Sequence, residues 1–168
     1  MRPVAPPVPE EPDAPTPSLD RTLTWRMHTL HKITDQESLR RYPLEAGLSL
    51  SDGRCLTAIG SFGPLSVNEL AQKANLNKAQ ASRAAQSLVD QGLVKKVDAP
   101  HDGRGVQLSL TARGRKAFAR TMALVEQRNR EIFGCLSPRE QEQLAALLDR
   151  LIAHVQPPPG DEPEPEPD

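Results

Sequence analysis

Between Lys78 and Asp90 the chain sets polar and charged side chains at helical spacing among small apolar ones. At about 100° per residue, Ala81, Ala84, Ala85 and Leu88 fall on one side of a helix. Ala79, Arg83, Gln86, Ser87 and Asp90 fall on the other, with Lys78, Gln80 and Ser82 flanking them near the start. The chemistry open to that second side is hydrogen bonding to base edges. Arginine bonds guanine through two hydrogens, glutamine does the same to adenine, and an alanine methyl meets the thymine methyl. Lys78 and Ser82 suit phosphate oxygens. On an isolated amphipathic helix the same residues would be a solvated face and nothing more. The flanking sequence therefore decides between the two.

Those flanks have the signals of a compact reader. Ser66-Val-Asn-Glu69 is a capping box, a serine N-cap with a glutamate three residues on. The helix it opens carries Leu70, Ala71 and Ala74 on one face. Asn75 tolerates the left-handed conformation that ends helices. Asn77-Lys-Ala-Gln80 opens the next helix by the same logic, and Gly92 ends it. Leu93–Val97 and Val106–Leu110 then alternate apolar and polar residues around Asp102-Gly103, which predicts two strands and a hairpin turn. Helix, turn, helix, hairpin is the order of a winged helix-turn-helix that binds DNA through its second helix. Lys95 on the first strand and Arg104 at the hairpin tip join the candidate DNA contacts. Arg104 suits a narrow minor groove, with Asp102 placed to hold it; the alternative is a surface turn with incidental charge.

The segments Leu65-Ser-Val-Asn-Glu-Leu-Ala71, Ser82-Arg83, Gly92-Leu-Val94, Asp102-Gly-Arg104 and Leu108-Ser-Leu-Thr111-Ala-Arg-Gly114, with Leu88, resemble the MarR family of bacterial transcriptional regulators. The resemblance runs from roughly Leu23 to Val155. Its most specific part is the Asp-x-Arg wing followed by Leu-Thr-x-x-Gly. Lys96 stands where the family usually has arginine, and Gly105 where a second arginine is common. Both departures bear on wing contacts and leave the class unchanged. The resemblance implies an obligate homodimer, DNA contacts by the second helix and the wing, and release by a small ligand. The run Trp25-Arg-Met-His28-Thr-Leu-His31-Lys32-Ile-Thr-Asp35, with Asn77–Arg83, is most similar to the subgroup controlling nicotinic-acid degradation. That implies an effector of the hydroxylated pyridine carboxylate class.

Composition supports a nucleic-acid partner once the ends are separated from the middle. Residues 1–20 and 157–168 are rich in proline and acids and have no apolar periodicity, which predicts two disordered tails. They carry formal charges of −3 and −5 against −1 for the whole chain, which leaves residues 21–156 at +7. A basic body suits a polyanion, and acidic tails temper non-specific binding. The start is not basic then apolar, and no apolar run reaches the length of a membrane span, so a cytoplasmic protein without membrane association is expected. Cys55 and Cys135 sit among apolar neighbours and are expected to be small buried hydrophobes, with redox sensing as the alternative. No zinc spacing and no nucleophile–base set stand out, so no cofactor, no metal and no enzymatic activity are expected.

The remaining elements must position the reader. Asp20 is expected to cap a first long helix running to about Tyr42, before Pro43. Leu23, Met27, Leu30 and Thr34 share one face of it, and Trp25, His28, Lys32 and Asp35 the other. A tryptophan on a polar face leaves a large apolar area wet, so a partner subunit or a ligand must cover it. Trp25 beside His28 and His31 could hold a flat aromatic acid; equally, Trp25 packs in a dimer interface and the histidines are solvated. A second helix follows, capped by Ser49 or Ser51 and ended by Gly60, Gly63 and Pro64, with Leu56 and Ile59 inward. Family resemblance places this helix along a ligand pocket, where Arg54 would meet a carboxylate; a structural ion pair is the other role open to it. Thr111 is expected to cap a helix from Ala112 to Phe133 with Phe118, Met122, Val125 and Ile132 in a seam. Ser137-Pro-Arg-Glu140 opens a last helix striped with Leu144, Leu147, Leu148, Leu151, Ile152 and Val155. So wide a stripe needs a partner.

The sequence thus predicts a mainly α chain with a small β-hairpin wing. Residues 21–156 form one winged-helix domain, with 21–45 and 112–156 for dimerisation and 48–111 for DNA. The expected activity is that of a homodimeric regulator binding double-stranded DNA at a pseudo-palindromic operator, as a repressor released by a small aromatic carboxylate. A ligand-independent or redox-sensing DNA binder is the first alternative. A winged helix used only for protein contacts is the second, and the basic residues on the second helix and wing argue against it.

Overall fold

A computed structural model describes residues 18–98 and 105–156. Among them the elements run α1 (Leu23–Arg41), α2 (Leu50–Phe62), α3 (Val67–Lys73), α4 (Lys78–Asp90), β1 (Val94–Asp98), β2 (Val106–Leu110), α5 (Ala112–Phe133) and α6 (Pro138–Val155). Residues 1–17 of the first expected tail, the whole of the last one and residues 99–104 of the hairpin tip, with Asp102 and Arg104, lie outside the described residues, whereas residues 18–20 of the first tail are ordered in a turn. None of the described helices is long and apolar enough to cross a membrane.

Caps set most of these bounds. Ser66, Asn77 and Ser137 each accept the backbone N–H three residues on, while Glu69, Gln80 and Glu140 return to the cap N–H. Each box satisfies two backbone donors that a helix start leaves open. Asn75 takes a φ of 53° between α3 and α4, which turns the chain sharply enough to bring the second helix across the first.

Several boundaries differ from expectation. Asp20 does not cap α1. It lies in a short 3-10 turn, Leu19–Arg21, with its carboxylate engaged by the Ser18 hydroxyl, and Thr22 accepts the Trp25 N–H instead. Pro43 does not stop the coil either: Tyr42–Ala46 continue as one π turn, closed by Gly47. The widened turn accommodates the residue without an N–H. Ser49 caps α2, and Gly60 lies inside that helix. A Cβ on Gly60 would stand 2.2 Å from the Phe118 ring, so the glycine is there to let α5 close on α2. Cys135 is exposed, because it falls in the connection between α5 and α6 and not on the seam of either.

The core forms around α2. Its Cys55, Leu56, Ala58 and Ile59 are buried with Leu70 of α3, Leu88 of α4 and Leu108 of β2. On α4 the buried side is Ala81, Ala84, Ala85 and Leu88, small enough for close approach to α2 and α3. Strand β1 pairs with β2 antiparallel, Val94 opposite Leu110 and Asp98 opposite Val106. Leu65 adds a third strand-like link, exchanging backbone hydrogen bonds with Leu108 at 3.2 and 2.8 Å. This bridge anchors the base of the wing to the start of α3.

Thr111 then locks the wing to α5. Its hydroxyl accepts the Gly114 N–H at 2.9 Å and donates to the Gly92 carbonyl at 2.8 Å. The first turn of α5 therefore sits directly on the chain leaving α4, and a Cβ on Gly114 would lie 1.9 Å from the Leu93 carbonyl oxygen. Gly114→Ala is expected to destabilise the fold by about 1–3 kcal/mol, the range for overpacking a closed contact. A urea midpoint equal to that of the parent would refute this account of the junction.

Candidate nucleic-acid interface and effector cleft

The outward side of α4 begins with Lys78, Ala79, Gln80, Ser82 and Arg83, all exposed. Burial of the alanine side against α2 and α3 holds them out, and the double cap at Asn77 fixes where the helix starts. The Gln80 carbonyl oxygen accepts the Asn77 N–H at 3.2 Å, so the amide nitrogen is the group Gln80 turns outward. Lys95 is exposed on β1, and the backbone of the hairpin places it opposite Ser109.

Gln86, Ser87 and Lys96 behave differently from expectation. Gln86 is exposed but already bonded at both ends: its amide donates to Asp90 at 2.7 Å, and its oxygen accepts from Lys96 Nζ at 3.2 Å. It joins the recognition helix to the wing. Ser87 does not face solvent. Its hydroxyl donates to the Asp52 carboxylate of α2 at 2.9 Å, because the wheel angle of Ser87 borders the packed side, and α2 covers that border. Lys96, which stands where the resembled family usually has arginine, shares a strand face with Val94 and Leu108 and so leans toward α4. Period-two alternation from the apolar Val94 was the available signal.

The expected ligand residues separate into two groups. His31 and Arg54 line a cleft of about 520 Å³ with Thr57, Phe62, Lys73 and Met122. Arg54 Nη2 donates to Asp35 Oδ1 at 2.7 Å, and His31 Nε2 lies 3.5 Å from Asp35 Oδ2. The structural ion pair open to Arg54 is therefore present, and its side chain remains 32% exposed toward the cleft. Trp25 and His28 do not line the cleft. They stand on the early turns of α1, where Leu23, Met27 and Leu30 are also exposed and Trp25 itself is 40% exposed. Among the described residues of the single chain, nothing folds that part of α1 over the cleft.

Several cleft residues were not anticipated, Thr57, Phe62 and Lys73 among them. Thr57 is one turn beyond Arg54 on the same face, a spacing legible in sequence. Lys73 comes from the last turn of α3, its ammonium 4.9 Å from the centroid of the Phe62 ring, a cation–π distance. No local signal announces it, since α3 meets the end of α2 only in the folded chain. The cleft thus offers two cations, a ring, the hydroxyls of Thr57 and Ser61, and apolar wall from Ala58, Met122 and Val125.

The buried cysteine bears on the redox alternative. Burial pushes the Cys55 thiol up to about 12, and the nearby Asp52 carboxylate adds to the shift. A thiol held protonated is a poor nucleophile toward oxidants, and Cys55 is fully buried in the core around α2, as a small packing residue would be.

The fold and the outward helix define a winged helix-turn-helix DNA-binding protein. Residues 46–105 match the model of the MarR family. The chain is 29% identical over 105 residues to the HTH-type transcriptional repressor Rv2887 of Mycobacterium tuberculosis, covering 62% of this chain and 76% of that one. The structure of Rv2887 in complex with salicylic acid superposes with a TM-score of 0.63 at 27% identity, over 79% of this chain and 98% of that one. A structure of Bordetella bronchiseptica BpsR, described as regulated in its DNA binding by 6-hydroxynicotinic acid, reaches a TM-score of 0.71 over 81% of this chain and 96% of that one. At 18% identity it supports the fold alone. Over residues 46–105 the chain is thus similar to the MarR family, and the relatives it resembles are named as transcriptional repressors and regulators.

Proposed function

We propose that the protein is a homodimeric, sequence-specific repressor that a small aromatic carboxylate releases from DNA. The observation that carries the effector is the cleft itself. Arg54 and Lys73 supply two cations, Phe62 a ring edge or face, and α3 of the reader forms one wall. A bound carboxylate would take Arg54 from Asp35, and the partly exposed pair is weak enough to yield. One relative above supports the class: Rv2887, 27% identical by structural superposition, is crystallised with salicylic acid. In this proposal residues 48–111 read DNA through Lys78, Ala79, Gln80, Ser82, Arg83, Lys95 and Arg104, with Gln86 beside Lys96. Residues 21–45 and 112–156 make the dimer.

Calorimetry with salicylate and 6-hydroxynicotinate, with and without DNA selected by the protein from a random pool, tests the reading. Effector and DNA must weaken each other by one common factor, because linkage between two sites is reciprocal. Arg54→Met is expected to weaken effector binding by roughly tenfold or more, the loss of a charge-assisted hydrogen bond. Equal affinity in the parent and Arg54→Met dimers would remove the cleft from the proposal. Trp25→Ala separates two placements of the ring: an unchanged affinity puts it in the Arg54 cleft alone, and a loss as large as that of Arg54→Met puts it on the indole, with His28 beside it.

A further inference from the structure

Asp52 lies in the first turn of α2, two residues before Arg54, and is only 8% exposed. Its partners are not cations. Oδ2 accepts from the Ser87 hydroxyl at 2.9 Å and from the Gln91 amide at 3.3 Å, and that amide also donates to Ser87 Oγ at 3.0 Å. Ser87 and Gln91 are the last turn and the C-cap of α4. The start of α2 makes such an arrangement tenable, since an unpaired carboxylate is favoured at a helix N-terminus. A closed three-membered polar cluster inside an otherwise apolar junction also has few geometries that satisfy every member.

Two residues along an α-helix turn the side chain by about 200°. Asp52 therefore grips the recognition helix from one side of α2, while Arg54 faces the cleft from the other. The apolar contacts between α2 and α4 are mostly alanine on the α4 side, and such smooth surfaces fix distance better than rotation. The Asp52 cluster supplies the rotational stop. We infer that Asp52 is a positioning residue: it sets the orientation of α4 on α2, and through it a change at the cleft reaches the DNA-reading face. The second half of this inference rests on the effector reading above; the first half does not.

Hydrogen exchange in the DNA-free full-length protein tests the first half. Ser87→Ala removes the hydroxyl that Asp52 holds, and Asp52→Asn keeps the shape while removing the charge. Both should lower the melting temperature by only a few degrees and exchange faster across Ser82–Gln91, by roughly tenfold, the worth of a hydrogen bond to a charged group. Ser87→Thr, which keeps the hydroxyl, should restore parental exchange. The ratio of affinities for selected and scrambled DNA should fall in Ser87→Ala, whereas a general loss of fold would lower both affinities together. Parental exchange in both variants, or a parallel loss on both DNAs, overturns the positioning role. Salicylate then tests the second half: it should alter α4 exchange in the parent and not in Ser87→Ala. An equal response in the two proteins overturns the route through Asp52. No response in the parent counts against the effector reading alone, since the exchange of the free variants still decides the positioning role.

Discussion

Replacing Leu147 and Leu151 together by glutamate is expected to yield a folded monomer that no longer holds its operator. Helix α6 buries none of its residues in the single chain. Leu147 and Leu151 are 53% and 48% exposed, and with Leu23, Met27, Leu30 and Phe133 they border a groove of about 1010 Å³ between α1 and α6. Exposed apolar area of that extent marks an interaction surface. The two substitutions place charges where a second copy would seat its own apolar stripe, and they touch no part of the core around α2. A two-fold dimer binds two half-sites, and the second contact benefits from tethering by roughly 10²–10⁴-fold. Loss of the dimer should therefore cost about that factor on the paired site, while affinity for a single half-site changes little. Light scattering and DNA titration measure both. A double variant that stays dimeric, or a monomer that binds the paired site as tightly as the parent, would rule out α6 as the interface.

The second large effect is expected from Arg83→Ala. Arg83 is exposed in the middle of the outward side of α4, with no ion-pair partner among the described residues. Such a guanidinium is free to make two hydrogen bonds to one guanine. Its removal should cost about 1–3 kcal/mol on selected DNA and relax preference at one base position of each half-site. Arg104→Ala in the wing is expected to act differently, weakening selected and scrambled DNA to a similar degree. Binding by Arg83→Ala that matched the parent on both DNAs would move recognition away from α4. Gln86→Ala makes a useful comparison. Because Gln86 is occupied by Asp90 and Lys96, its loss should loosen the joint between reader and wing as well as any contact with a base.

Much of the reader was legible without coordinates, because its determinants are local. Ser66 with Glu69, Asn77 with Gln80 and Ser137 with Glu140 are each three residues apart, and each pair closes its own box whatever the rest of the chain does. The alanine side of α4 and the alternation of the two strands depend only on 3.6- and 2-residue periods. The misplacements had a different origin. Asp20 lost the cap to Thr22 through competition between neighbours only two residues apart, and such near ties are resolved by the detailed backbone path. Gly60 read as a terminator because a glycine's conformational freedom is visible in sequence, whereas the Phe118 ring that needs the space is 58 residues away.

The site divides along the same line. Sequence alone determined that a capped, alanine-backed helix would leave Lys78, Gln80, Ser82 and Arg83 on its exposed side, since a periodic pattern fixes which side chains share a face. It could not determine what stands opposite that helix or beside the ligand residues. Ser87 turned inward because α2 lies there with Asp52, and Gln86 was taken up by Lys96 from a strand ten residues on. The cleft took Lys73 from α3, and left Trp25 and His28 outside, because its walls come from four helices, of which α2, α3 and α5 are joined by the apolar core while α1 buries none of its residues. Proximity between residues distant in the chain is set by how that core packs, and packing is a property of the whole fold that no local spacing encodes.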